Sequence, residues 1–146
     1  MKRALSALQR VREIEKKQAR QSFADAERAR ITQEQRVESI LSAVDESRGR
    51  GAPAEGEAVW AHMEHAFRLR MEVQLRAERV VLEQRAVEVG RRRVVLNEAT
   101  RATRVVEVAI ERIEEMEALE VGILATLDIP DPYAEFELVP HPPVDA

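Results

Sequence analysis

Ser47-Arg48-Gly49-Arg50-Gly51-Ala52-Pro53-Ala54-Glu55-Gly56 decides the fold. The run holds Pro53, the first proline of the chain, together with Gly49, Gly51 and Gly56, three of its five glycines. Proline removes a backbone donor and glycine lowers helix propensity, so these residues read as a turn. No further proline occurs until Pro130. The sequence on either side is dominated by Ala, Glu, Arg, Val and Leu, a composition that points to long helices. The expected order is therefore a helix over residues 2–46, a turn over 47–56 and a longer helix over 57–126. At 1.5 Å per residue the helices span about 70 and 105 Å. The fold class predicted is all-α: a long, monomeric, antiparallel two-helix coiled-coil hairpin over residues 1–127. A non-helical, proline-rich tail follows over residues 128–146.

The tail contains Pro130, Pro132, Pro140, Pro142 and Pro143 and reads as flexible. Within it, Glu135-Phe136-Glu137-Leu138-Val139 alternates like a short edge strand that could dock on a partner sheet.

Composition excludes a conventional globular core. Of 146 residues 34% are charged and 3% aromatic, the aromatics being Phe23, Trp60, Phe67, Tyr133 and Phe136. With no cysteine there is no disulfide or thiolate chemistry, which fits a reducing compartment. No apolar run approaches the roughly 20 residues of a membrane span. Arg10, Arg12, Glu13, Glu15, Lys16 and Lys17 interrupt any secretory apolar segment near the start. The expectation is a cytoplasmic protein without direct membrane insertion.

If the turn centres near Ala52, antiparallel partners carry residue numbers that add up to about 104. Val44 then faces Trp60, Val37 faces Phe67, Gln33 faces Met71, Phe23 faces Val81 and Leu8 faces Leu96. Ala26, Arg30, Gln33, Val37, Ile40 and Val44 step alternately by four and three, as a coiled-coil seam does. Trp60, Met63, Phe67 and Met71 open the matching seam. By this count the first helix is used up near residue 103. Residues 104–126 are left unpaired for roughly 35 Å, carrying Val105, Val106, Val108, Ala109, Ile110, Ile113, Met116, Leu119 and Ile123. An apolar stripe without an internal partner predicts an external one. Val73, Val80, Val87 and Val94 recur every seven residues and read as a widening of the apolar stripe, with a second partner as the alternative.

Charge is unevenly distributed. Residues 1–20 hold seven basic residues (Lys2, Arg3, Arg10, Arg12, Lys16, Lys17, Arg20) against Glu13 and Glu15, and residues 107–120 hold six glutamates against Arg112. By the simple count the basic first helix folds beside Arg85, Arg91–Arg93, Arg101 and Arg104, which gives a basic open end with an acidic extension. Such fields orient a rod toward a charged partner more than they add affinity.

Motifs for chemistry do not assemble. His62-Met63-Glu64-His65 matches neither zinc-protease spacing and lacks a third ligand, so no metal is expected. Gly49-Arg50-Gly51 is followed by no G-K-[ST] and is not a phosphate loop. A two-helix rod forms no enclosed pocket, so no catalytic residue, no cofactor and no enzyme activity are predicted. Arg91-Arg92-Arg93 could neutralise phosphates, but the net charge is -4 and no aromatics alternate with the arginines, so nucleic acid is not an expected partner.

The opening Leu5-x-x-Leu8-x-x-Val11-Arg12-Glu13-x-Glu15-x-x-Gln18-Ala19, the Ala-rich continuation, the turn near residue 50 and the longer second helix together resemble the FliJ/YscO group. These are the stalk proteins of flagellar and type III secretion export apparatus, and the resemblance covers roughly residues 2–125. It implies an antiparallel hairpin whose terminal end enters the hexameric export ATPase and whose turn-proximal part contacts the cytoplasmic domain of the export gate. Export chaperones are a further implied partner. The protein would then be cytoplasmic and peripheral to the inner-membrane export apparatus. Carried onto this chain, the ring-facing residues are Leu5, Leu8, Val11, Val105, Ala109, Ile113, Met116 and Ile123. The gate-facing residues are Trp60, Met63 and Phe67. The tail departs from the family layout. The competing class is a generic coiled-coil scaffold or adaptor.

Overall fold

The computed structural model describes residues 1–51 and 56–127. The centre of the turn and the whole proline-rich tail, with its strand-like segment, lie outside the described residues. Two helices make up the described fold: α1, Lys2–Gly49, and α2, Glu57–Leu127. They pair along their length as an antiparallel hairpin, so the chain is all-α. α1 continues through Ser47, Arg48 and Gly49, three residues beyond the expected end. Gly56 precedes α2 at φ 77°, a left-handed conformation that favours glycine, and its carbonyl accepts the Trp60 N–H at 2.9 Å. Glu57 in the first turn of α2 and Arg48 in the last turn of α1 complement the helix dipoles.

α1 carries a regular seam. Leu5, Gln9, Arg12, Lys16, Ala19, Phe23, Ala26, Arg30, Gln33, Val37, Ile40, Val44 and Ser47 are all buried or half-buried, and their spacing alternates four and three throughout. This is a heptad repeat that admits polar members. α2 differs. Its covered positions Trp60, Glu64, Phe67, Met71, Leu75, Glu78 and Leu82 contain two consecutive steps of four, at Phe67–Met71–Leu75, before heptad spacing resumes. A four-residue insertion of this kind locally unwinds a supercoil and advances α2 relative to α1, and the advance grows further toward the open end.

The displacement overturns the simple count. Gln33 meets Glu78, not Met71: its Nε2 donates to the Glu78 carbonyl oxygen at 2.9 Å and also to the Glu78 carboxylate. Nearer the open end, Thr103 Oγ1 lies 3.3 Å from the Arg12 carbonyl oxygen and 2.9 Å from that of Ala99. Lys2 Nζ reaches Glu117 Oε2 at 3.2 Å. Residues 104–113 are therefore not an overhang. Val106 is buried, Ala109, Ile110 and Ile113 are half-buried, and Thr103 is 1% exposed. The part of α2 that α1 leaves uncovered shrinks to residues 114–127, all exposed and about 20 Å long, with the Lys2–Glu117 pair at its base. No described helix is long and apolar enough to cross a membrane.

Candidate functional site

Residues 114–127 form the projecting end of the rod. Met116, Leu119, Val121, Ile123, Leu124 and Leu127 lie between 59% and 73% exposed there. They lie on continuous helix, since α2 runs unbroken to Leu127. An apolar face of this kind can bury itself only against another surface.

The expected ring-facing residues divide into three groups. Met116 and Ile123 lie on the projecting end. Leu8, Val11 and Val105 are exposed on the outer faces of the paired region, so they can meet a partner that surrounds the rod. Leu5, Ala109 and Ile113 are half-buried between the helices, and Ala109 and Ile113, expected on an unpaired overhang, lie beside α1 instead. The extra step in α2 draws Ala109 and Ile113 back alongside α1.

Charge at the open end is also rearranged. With Arg12 beside Thr103 and Lys2 on Glu117, the basic residues Lys2, Arg3, Arg10 and Arg12 run next to the acidic block that begins at Glu107. Arg104 adds pairs to Glu107 at 3.4 Å and Glu111 at 3.5 Å. Among the described residues Lys2–Glu117 is the ion pair that crosses the hairpin here, so the expected basic rim with a separate acidic extension becomes basic and acidic stretches lying side by side.

At the other end, Trp60, Met63 and Phe67 border a shallow groove with Ala43, Ser47 and Arg50 of the α1 terminus. Trp60 and Phe67 are half-buried and close the hairpin next to the turn, while Met63 is 65% exposed. Of the three expected gate-facing residues, Met63 offers the freest side chain. His62 and His65 are both exposed, and among the described residues no three His, Cys, Asp or Glu side chains come together as a metal site.

Hydrophobic patterning missed Arg12 and Thr103 inside the seam, while the four-three spacing includes Arg30 and Gln33. Gln33 is 4% exposed, and Arg12 Nε is buried without a partner while its Nη1 pairs with Glu15 at 3.0 Å. Arg30 sits between Glu27 at 3.0 Å and Glu34 at 2.5 Å. The hydrogen bond to Glu27 and the charge of Glu34 hold its guanidinium above its ordinary pKa. Arg93 lies over the Phe23 ring at 5.7 Å, a cation–π contact across the hairpin. These groups specify alignment, and they bring together no nucleophile, base and oxyanion donor.

Comparison with family models, curated proteins and solved structures found no match to this chain.

Proposed function

We propose that this chain is a central stalk of a flagellar or type III secretion export apparatus, linking the hexameric export ATPase to the cytoplasmic domain of the export gate. The reading rests on the resemblance of residues 2–125 to the FliJ/YscO group. The observation that carries it is the exposed apolar helical end of α2 over residues 114–127. A rod about 20 Å across with one projecting helix suits insertion into the bore of a protein ring. In this proposal Met116 and Ile123 enter the ring, Leu8, Val11 and Val105 line its mouth, and Met63 beside Trp60 and Phe67 meets the gate at the turn end. The protein then works on the cytoplasmic side of the inner membrane, with export chaperones as further partners.

The test measures ATP turnover by the cognate hexameric ATPase against stalk concentration, alongside gate binding. Met116→Asp with Ile123→Asp should abolish stimulation and spare gate binding, and Met63→Asp should do the reverse. If the wild-type chain never stimulates the ATPase, or both variants lose both activities, the proposal fails. One observation favours the adaptor reading instead: the exposed valine stripe of α2, which offers a second helical seam away from α1.

A further inference from the structure

Val73, Val80, Val87 and Val94 are 67%, 54%, 54% and 55% exposed, so the stripe does not widen the seam with α1 but faces away from it. Its spacing has a symmetry of its own. Val73, Ala77 and Val80 on one side of the Glu83–Gln84 bond are mirrored by Val94, Gly90 and Val87 on the other. A two-fold axis passing beside Glu83 and Gln84, perpendicular to α2, places Val73 opposite Val94, Ala77 opposite Gly90 and Val80 opposite Val87. An isologous interface demands such self-complementarity, because the same patch must serve both copies.

Gly90 adds an independent observation. It is exposed in the interior of a 71-residue helix, where glycine lowers helix stability, and a Cβ placed on it meets nothing within 4 Å. The hairpin itself gives no steric reason for glycine there, whereas close approach of a second helix does. Charge agrees. The same axis sets Arg70 of one copy against Glu98 of the other, and brings Arg79 within reach of Glu83. None of these four side chains has an ion-pair partner within the hairpin among the described residues. Arg76 and Arg91 oppose each other, and their apolar stems can lie over the valines with the guanidinium groups in water.

We infer that the outer face of α2 over residues 73–94 is a self-association surface whose occupant is a second copy of this chain, docked antiparallel. The overlap runs about 33 Å and makes a four-helix arrangement with the two α2 helices at its centre. Each projecting end passes beyond the turn of the other copy and stays clear. The same axis sets Met63 of one copy level with Arg104 of the other, so the dimer and the ring-inserted stalk are alternative states of the rod, and the dimer replaces the monomer expected from the sequence.

The experiment is sedimentation equilibrium of the full chain, with single-cysteine variants for orientation, the chain having no cysteine of its own. The expected result is a dimer. Val80→Glu with Val87→Glu should weaken it at least about 100-fold without loss of helix content, because both positions are exposed in the hairpin. Gly90→Ala should raise the thermal stability of the hairpin while weakening the dimer. Under oxidation, Val73→Cys chains should cross-link to Val94→Cys chains when mixed, and neither should cross-link to itself. A chain that stays monomeric up to about 1 mM overturns the inference. So does a dimer indifferent to Val80→Glu with Val87→Glu, or a parallel pattern in which each cysteine variant cross-links to itself.

Discussion

Gln33 of α1 donates from one amide nitrogen to both the backbone carbonyl and the carboxylate of Glu78 in α2. Apolar layers tolerate slippage by a heptad, because one aliphatic side chain serves nearly as well as the next. A buried amide satisfied at one position does not, so this pair selects a single alignment of two long helices. Replacing Gln33 by Ala should cost about 1–2 kcal/mol in urea unfolding, since it leaves a half-buried carboxylate without its donor. Gln33→Leu should cost less but broaden the register, seen as a wider set of intramolecular cross-links.

Register itself is open to direct measurement. Cysteines replacing Arg12 and Thr103 should be joined within one chain by a short bifunctional reagent, because the Thr103 hydroxyl lies 3.3 Å from the Arg12 carbonyl. Cysteines replacing Leu8 and Leu96, partners by simple counting from the turn, should not. Efficient joining of the second pair would show that the helices lie several residues out of the observed alignment.

Thr103 is the most enclosed side chain of the rod, and its hydroxyl lies against the backbone of both helices. Thr103→Leu should drive the helices apart and lower stability by about 1–3 kcal/mol. Thr103→Val keeps the volume, and its smaller loss in thermal unfolding reports the hydroxyl alone.

Opposed charge at the open end predicts a salt effect confined to that end. At 1 M salt the screening length falls to about 3 Å, so the Lys2–Glu117 pair that joins the two helices weakens. Amide hydrogen exchange should quicken over residues 2–12 and 107–117 and change little over residues 33–44. Equal quickening along the whole rod would show that the charge blocks contribute nothing specific.

Ile113 and Ile123 should separate stability from partner binding. Ile113 is half-buried against α1, so Ile113→Asp should lower the thermal midpoint, whereas Ile123→Asp, at a position 59% exposed, should leave it unchanged. Under the stalk proposal Ile123→Asp nevertheless loses ATPase stimulation. An equal fall in thermal midpoint for both variants would place Ile123 in an intramolecular seam.

The sequence alone determined the elements. Pro53 and the glycines around it mark the turn, and the proline-free stretches on either side become α1 and α2, because propensity and chain breaks act locally. The seam from Ala26 to Val44 was legible for the same reason, a period read along one helix. What only the tertiary structure decided is how the helices slide past one another. Counting outward from the turn assumes equal advance on both, and the consecutive four-residue steps at Phe67, Met71 and Leu75 break that assumption. Arg12 and Thr103 were invisible as seam residues because apolar patterning places such side chains in water, whereas the spacing included Gln33 but gave it the wrong partner. Each is enclosed only because the opposite helix covers it at that level. The length of the projecting end depends on this sliding, and so does the assignment of Ala109 and Ile113 to the seam rather than to a partner.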